Sequence, residues 1–337
     1  MVAEIIRMNE KIFLADSDLS NYGIVTNLSL KSEALLKQQK SSWPLVSENF
    51  GALDKIKIKK FEKNNYFLKI QFNPSRITSS SAKVDKKSIE NRACFLCDTN
   101  LPEVQRGINY NDRYIILCNP YPIFKQHLTI PRIDHVPQSI NSAFNDMIEL
   151  SYDLRDNFFV FYNGPKCGAS APDHLHFQAG LKGATPLEHF YYELLNDGQC
   201  IFQNGNTKVD IVIEELFKFI NIRSSSSDEI KNVFNKILSQ LKKLQNLDEE
   251  PLLNIIAFHE KDYWNIFVIP RSKHRPDQFF LDGESKLLIS PASVDVAGLL
   301  ITPREKDFNI LSLTDLNDIF NQVLFKDDSL ERLKEIF

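Results

Sequence analysis

The sequence predicts an α+β chain made of two related halves, each pairing antiparallel strands into a sheet flanked by helices. Short apolar runs rich in β-branched and aromatic residues alternate with segments of helical periodicity. A strand, turn, strand pattern ending in Ile-Pro-Arg-x-x-His occurs twice, at 130–135 and at 269–274. Duplication of one unit accounts for 337 residues better than two unrelated domains of about 150 residues each. The two copies continue differently, because only the first half goes on to a histidine cluster; the second half reads as degenerate.

Residues 1–90 read as an amino-terminal extension. Glu4, Arg7 and Glu10 interrupt the apolar residues at its start, unlike a secretory leader. It contains an alternating segment with Ile56, Ile58 and 66–70, and its polar stretch 78–87 reads as an exposed loop. Residues 91–200 form the first half. Here 114–118 and 127–130 make a strand pair across Asn-Pro-Tyr-Pro, and 144–155 make a helix with Phe144, Met147, Ile148, Leu150 and Leu154 apolar. A strand at 158–161 and another holding the histidines at 174–178 come next, and Thr185, Pro186 and Glu188 mark a helix start. In the second half, 201–337, Ser226 and Glu229 form a capping-box pattern ahead of Ile230, Val233, Phe234, Ile237, Leu238 and Leu241. Strands at 255–258 and 264–269 form a second hairpin.

Composition narrows the function classes. Apolar residues at 43% and charged residues at 25% are ordinary globular values, which excludes disorder and coiled coil. Forty basic against 44 acidic residues leave a net charge of −4, so no global field favours nucleic acid or an anionic membrane. The absence of a long uncharged apolar run excludes a spanning helix, and an odd set of five cysteines points to a reducing, cytoplasmic setting. Only 11 glycines make Gly-rich phosphate loops scarce.

The chemistry concentrates between Asn163 and Gln178. On a strand, His174, His176 and Gln178 share one face while Leu175 and Phe177 take the other. Three polar side chains on one face are costly to bury without purpose; the competing reading is a satisfied histidine pair in a core. The preceding loop, with Gly164, Gly168, Ala169 and Ser170, allows close backbone approach to an anion, and Lys166 adds positive charge, as in a phosphate site. The Cys94-x-x-Cys97 pair, read alone, fits a redox pair, a metal pair or an incidental spacing. Cys118, Cys167 and Cys200 read as small buried or loop residues. Arg271, Lys273, His274 and Arg275 form a basic cluster after a strand, either a solvated loop or a set of phosphate contacts.

These residues resemble the His-x-His-x-Gln branch of the histidine-triad (HIT-like) superfamily over most of 91–303. That branch holds galactose-1-phosphate uridylyltransferase, diadenosine tetraphosphate phosphorylase (ATP adenylyltransferase) and the GDP-hexose phosphorylases. The resemblance implies a HIT-like fold and transfer of a nucleoside monophosphate through a covalent nucleotidyl-histidine, with His176 as nucleophile and Gln178 bonding phosphate oxygens. It further implies a ribose contact at Asn119, phosphate contacts at Asn163 and in the loop, and a supporting role for His127. Ser170 stands one position further from His176 than the family's serine, with Ala171 in the expected place. A structural zinc is implied on Cys94, Cys97, His135 and His174.

The implied partners are a nucleotide or nucleotide-sugar substrate and inorganic phosphate, with no nucleic acid and no membrane; a homodimer stays open. Segment 289–301 resembles the diadenosine tetraphosphate phosphorylases, whereas 174–179 is closer to the GDP-hexose phosphorylases. A nucleotide-binding regulator without turnover, a HIT-type hydrolase and a zinc-stabilised interaction protein are the rival functions.

Overall fold

A computed structural model describes residues 12–63, 66–81 and 84–337; Glu4, Arg7 and Glu10 lie outside them. After a single helical turn at Asp16–Leu19 come two longer helices, α1 (Leu28–Ser42) and α2 (Pro44–Ala52), then the strand pair β1 (Lys57–Lys63) and β2 (Tyr66–Phe72). The first repeat consists of β3 (Gly107–Tyr110), β4 (Tyr114–Cys118), β5 (His127–Pro131), α3 (Phe144–Asp153), β6 (Phe158–Asn163) and β7 (His176–Leu181). After α4 (Leu187–Asp197) the second repeat keeps the same order: β8 (Gln199–Asn204), β9 (Thr207–Ile213), β10 (Lys218–Ser224), α5 (Ser227–Gln245), β11 (Leu253–Glu260) and β12 (Tyr263–Pro270). The strand β13 (Leu299–Thr302) and helix α6 (Leu313–Val323) come later.

The two repeats share one antiparallel sheet of ten strands, ordered β3-β4-β5-β7-β6-β11-β12-β10-β9-β8. Read inward from either edge the order is the same, and the halves meet where β6 pairs β11, with Asn163 opposite Asn254. A second sheet joins β1, β2 and β13, the last running parallel to β2. The α+β class and the two helix-flanked halves stand, with one continuous sheet where separate ones were expected.

This order equates β5 with β10 and β7 with β12. The two Ile-Pro-Arg-x-x-His segments end β5 and β12, which are not counterparts, so the shared motif is not the trace of the duplication. The likeness has a local cause: a proline ends each strand, where no further ladder N–H is needed, and the next N–H, of Arg132 or Arg271, bonds Leu175 or Leu252 across the chain.

Local chemistry explains the elements. The Asn27 side chain accepts from Leu30 N–H at 3.0 Å and starts α1, and Pro44 opens α2, where its missing N–H costs nothing. Ser226 caps α5 by accepting from Glu229 N–H at 3.3 Å, and Asn246, at φ 52°, ends it. Lys261 and Asp262, at φ 48° and 70°, form the tight turn between β11 and β12. The stretch expected as an exposed loop instead contains two short helices, Ile77–Ser80 and Lys86–Glu90, the second capped by Asp85, which accepts from Ser88 N–H at 3.0 Å.

Each face of the large sheet covers its own core. On one face α3 and α5 meet Leu175, Phe177, Ala179, Ile255 and Val268, and the apolar side chains of α1 and α2 join the same cluster. On the other, α4 and α6 pack with Phe159, Phe161, Phe267 and the small sheet. Strand alternation therefore sends His176 and Gln178 toward the second face. No helix of the described residues is long and apolar enough to cross a membrane.

The rings of Phe144 and Phe234 stack at 3.6 Å between centroids and hold α3 to α5. Phe234→Ala should cost about 3–5 kcal/mol of stability through the cavity it leaves, read as a lowered urea midpoint. A loss below about 1 kcal/mol would show that this layer collapses freely.

Candidate active site and metal centre

Strand β7 starts at His176 and not at 174, because His174 turns away from the sheet toward the cysteine pair. Its Nδ1 lies 3.2 Å from Cys94 Sγ and 3.6 Å from Cys97 Sγ, and Cys97 Sγ lies 3.1 Å from His135 Nδ1. All four ligand atoms fall within 4.8 Å of one another. A tetrahedral ion with metal–sulfur bonds of about 2.3 Å and metal–nitrogen bonds of about 2.0 Å sets sulfur–nitrogen separations near 3.5 Å, so the cluster has the dimensions of a metal centre. His174 Nε2 donates to Arg132 O at 2.7 Å, which keeps the Nδ1 lone pair on the sulfur side. Burial raises the Cys94 thiol, but the hydrogen bond it shares with His174 Nδ1 and those from the Leu96 and Cys97 amides outweigh it and bring the group down to about 6. Burial and the neighbouring Cys94 push Cys97 up to about 11.

His176 is buried. Its Nδ1–H donates to the carbonyl of His174 at 2.8 Å, which leaves the lone pair on Nε2. Burial pulls this imidazole down to about 4, so the neutral, nucleophilic form prevails at neutral pH. Gln138 holds the backbone around it: Oε1 accepts from His176 N–H at 2.8 Å, and Nε2 donates to His176 O at 3.1 Å and Asn163 O at 2.9 Å. Nothing in the sequence singled out Gln138, since a lone glutamine in a loop carries no periodic or motif signal.

Gln178 stands two residues on, on the same face of β7. Its Oε1 accepts from His127 Nε2–H at 3.0 Å, while His127 Nδ1 accepts from Ile123 N–H at 3.1 Å. Burial holds His127 down to about 3, so its tautomer is fixed from both sides. With the oxygen occupied, the Gln178 NH2 group is the part left to donate to a ligand. The expected supporting position of His127 is therefore a contact to Gln178.

The loop between β6 and β7 is shaped for close approach. Gly168 sits at φ 101°, and a Cβ there would come within 2.6 Å of Ala292 Cβ. Ala169 is buried, its N–H on Gly164 O at 3.4 Å. Among the described residues, the amides of Gly168, Ser170 and Ala171 have no protein acceptor, and the Ser170 hydroxyl has no protein partner. Free amides grouped in one short loop suit an oxyanion.

Other expected contacts take different places. Asn163 turns its Oδ1 to Ser293, accepting from the N–H at 2.8 Å and the hydroxyl at 2.6 Å, and to Asn254 Nδ2 at 3.0 Å. Asn119 braces the Asn-Pro-Tyr-Pro turn, donating to Thr129 Oγ1 at 2.8 Å and accepting from Tyr121 N–H at 2.9 Å. Lys166 points outward to Glu249 at 2.6 Å. Arg271 is corrected outright. It is fully buried, and its guanidinium donates to Val323 O, Asn254 Oδ1 and Pro291 O, and to the carbonyls of Lys273 and His274. All five donors are used internally, so Arg271 braces the second half and does not meet phosphate.

The family described as a domain of unknown function, DUF4922, matches residues 35–181. No curated protein matches the sequence. Among solved structures, yeast Ap4A phosphorylase Apa2 in complex with Ap4A aligns over 86% of this chain and 97% of its own, with a TM-score of 0.53 at 17% identity. The same yeast protein in complex with AMP aligns over 86% and 95%, with a TM-score of 0.50 at 20% identity. The chain thus has the HIT-like fold of that phosphorylase.

Arg271→Ala should destabilise the protein by at least about 3 kcal/mol, since it strips partners from several buried acceptors at about 1–3 kcal/mol each. Denaturant unfolding measures this. A variant of unchanged stability with a weakened substrate affinity would instead restore Arg271 as a surface phosphate contact.

Proposed function

We propose that this protein is a nucleotidyltransferase that moves a nucleoside monophosphate group from a dinucleoside polyphosphate or a nucleoside-diphosphate sugar to inorganic phosphate through His176. The observation that carries the reading is the His176 Nδ1–H bond to His174 O at 2.8 Å, which aims a neutral Nε2 lone pair from the start of β7. Gln178 beside it and the free amides of the small-residue loop supply donors for nonbridging phosphate oxygens.

In the first step the Nε2 lone pair attacks the α-phosphorus, a P–N bond forms, and the P–O bond to the leaving group breaks with its electron pair on the departing oxygen. In the second, an oxygen of inorganic phosphate attacks the same phosphorus, the P–N bond breaks, and a nucleoside diphosphate leaves with Nε2 restored. Gln178 is not ionisable, so it stabilises charge without acting as an acid or base, which suits group transfer. The likeness in fold to a phosphorylase crystallised with Ap4A and AMP adds weight to this class over a regulator or an interaction protein.

Cys94, Cys97, His135 and His174 fit zinc in donor type and spacing. The ion, when bound, supplies a structural clamp on His174, since four protein ligands fill a tetrahedral site. The chain's own part is to present His174 O to His176.

Incubation with Ap4A, GDP-hexose, UDP-hexose or ADP-sugar in the absence of phosphate should add one nucleoside monophosphate to the intact protein, read by mass spectrometry. Phosphate should discharge the adduct as nucleoside diphosphate, and His176→Ala should lose both the adduct and turnover, by on the order of 10⁴-fold or more. Turnover without an adduct, or release of monophosphate regardless of phosphate, would contradict the mechanism and favour direct hydrolysis.

Elemental analysis of the purified protein should find about one zinc per chain, lost in Cys94→Ser along with thermal stability. Unchanged metal content in that variant would reject the centre.

A further inference from the structure

The turn that follows β2 carries Arg76 against the loop that precedes His127. Downstream of β2, residues Pro74–Arg76 form a single 3-10 turn held against the 120–123 loop. Gln71 Nε2 donates to Ile123 O at 3.1 Å, Asn73 Nδ2 to Pro122 O at 3.1 Å, and Arg76 Nη1 to Tyr121 O at 2.7 Å. Asn73 N–H bonds Thr302 O at 2.9 Å, which ties the turn to β13 as well. This is the loop whose Ile123 N–H orients His127 and, through it, Gln178.

The guanidinium of Arg76 lies within electrostatic reach of His127 and of Asp295, pushing the first down and favouring the charged form of the second. Asp295 already accepts from Ala292 N–H and Ile301 N–H, both at 2.8 Å, and Ala292 is the residue that faces Gly168. Arg76 therefore stands where the Gln178 support and the wall behind the small-residue loop converge.

Arg271 provides an internal comparison. Burial lowers both guanidiniums, but Arg271 satisfies every donor, whereas Arg76 has Tyr121 O alone among the described residues and a buried Nε with no partner. Leaving charged donors unpaired inside a protein is costly. A phosphate group, with several oxygens suited to the guanidinium fork, removes that cost.

We propose that Arg76 is a phosphate-contacting residue that donates from its unpaired guanidinium edge to the nucleotide bound beside Gln178. The inference rests on the nucleotide-transfer reading. It gives residues 66–76 a functional role, because β2 and its turn complete the anion pocket of the first half.

Calorimetric titration of wild type, Arg76→Gln and Arg76→Lys with adenosine, guanosine and uridine, and with their mono- and triphosphates, tests it. Wild type should prefer a phosphorylated form over its nucleoside. In Arg76→Gln that preference should fall at least tenfold while nucleoside affinity and thermal midpoint hold; Arg76→Lys should fall between the two. An unchanged preference in a folded Arg76→Gln overturns the role of Arg76 and leaves the nucleotide reading standing. If Arg76→Gln does not fold, wild-type preference in Arg76→Lys overturns it, because an ammonium lacks the fork. Failure of wild type to bind any of these ligands overturns the nucleotide reading itself.

Discussion

The hydrogen bond from His176 Nδ1 to the carbonyl of His174 decides which nitrogen of the His176 imidazole carries the lone pair. His174 itself is held off the strand, which starts at His176. Its own ring is pinned on one side by the Cys94 and Cys97 sulfurs and on the other by Arg132 O. Gln138 then takes the place of a neighbouring strand at the first residue of β7, bonding both the N–H and the C=O of His176. The Cys94, Cys97, His135 and His174 cluster and the His176 imidazole are thus joined by one short backbone segment, and the proposed roles of both depend on how His174 is held.

The second repeat keeps the element order of the first but has become its wall. Asn163 at the end of β6 is held by Ser293 and by Asn254, and Asn254 is in turn fixed by the buried Arg271. Ala292 closes against Gly168 so tightly that only glycine fits there. The second repeat has no histidine on β12, the counterpart of β7, and it contributes rigidity behind the loop of Gly168.

Much of this was legible in the sequence wherever one local rule dominates. The helix after Ser226 follows from a cap and a 3.6-residue apolar period, and the β11–β12 hairpin from two apolar runs around a polar turn. Cys94, Cys97, His135 and His174 came together only through the family resemblance, because their separation along the chain gives no spacing signal. Strands β8 to β10 escaped notice because their alternation is broken by polar residues such as Asp210 and Asn221, buried in the second half of a long sheet. Arginine misled in both directions: Arg271 looked like a phosphate contact after a strand and is an internal brace, while Arg76 sat unnoticed in an Asn-Pro-Ser-Arg turn. Which donors an arginine has already spent is a tertiary fact, invisible to composition or spacing.

The central claim is a double displacement through His176, and the stereochemical course at phosphorus tests it most directly. A substrate made chiral at the α-phosphorus by sulfur substitution passes through two in-line displacements if His176 is the nucleophile, each inverting the centre. The nucleoside diphosphate product, analysed by phosphorus NMR, should therefore show net retention of configuration. Net inversion would mean that phosphate attacks the substrate directly, and the covalent histidine would have no place in the reaction.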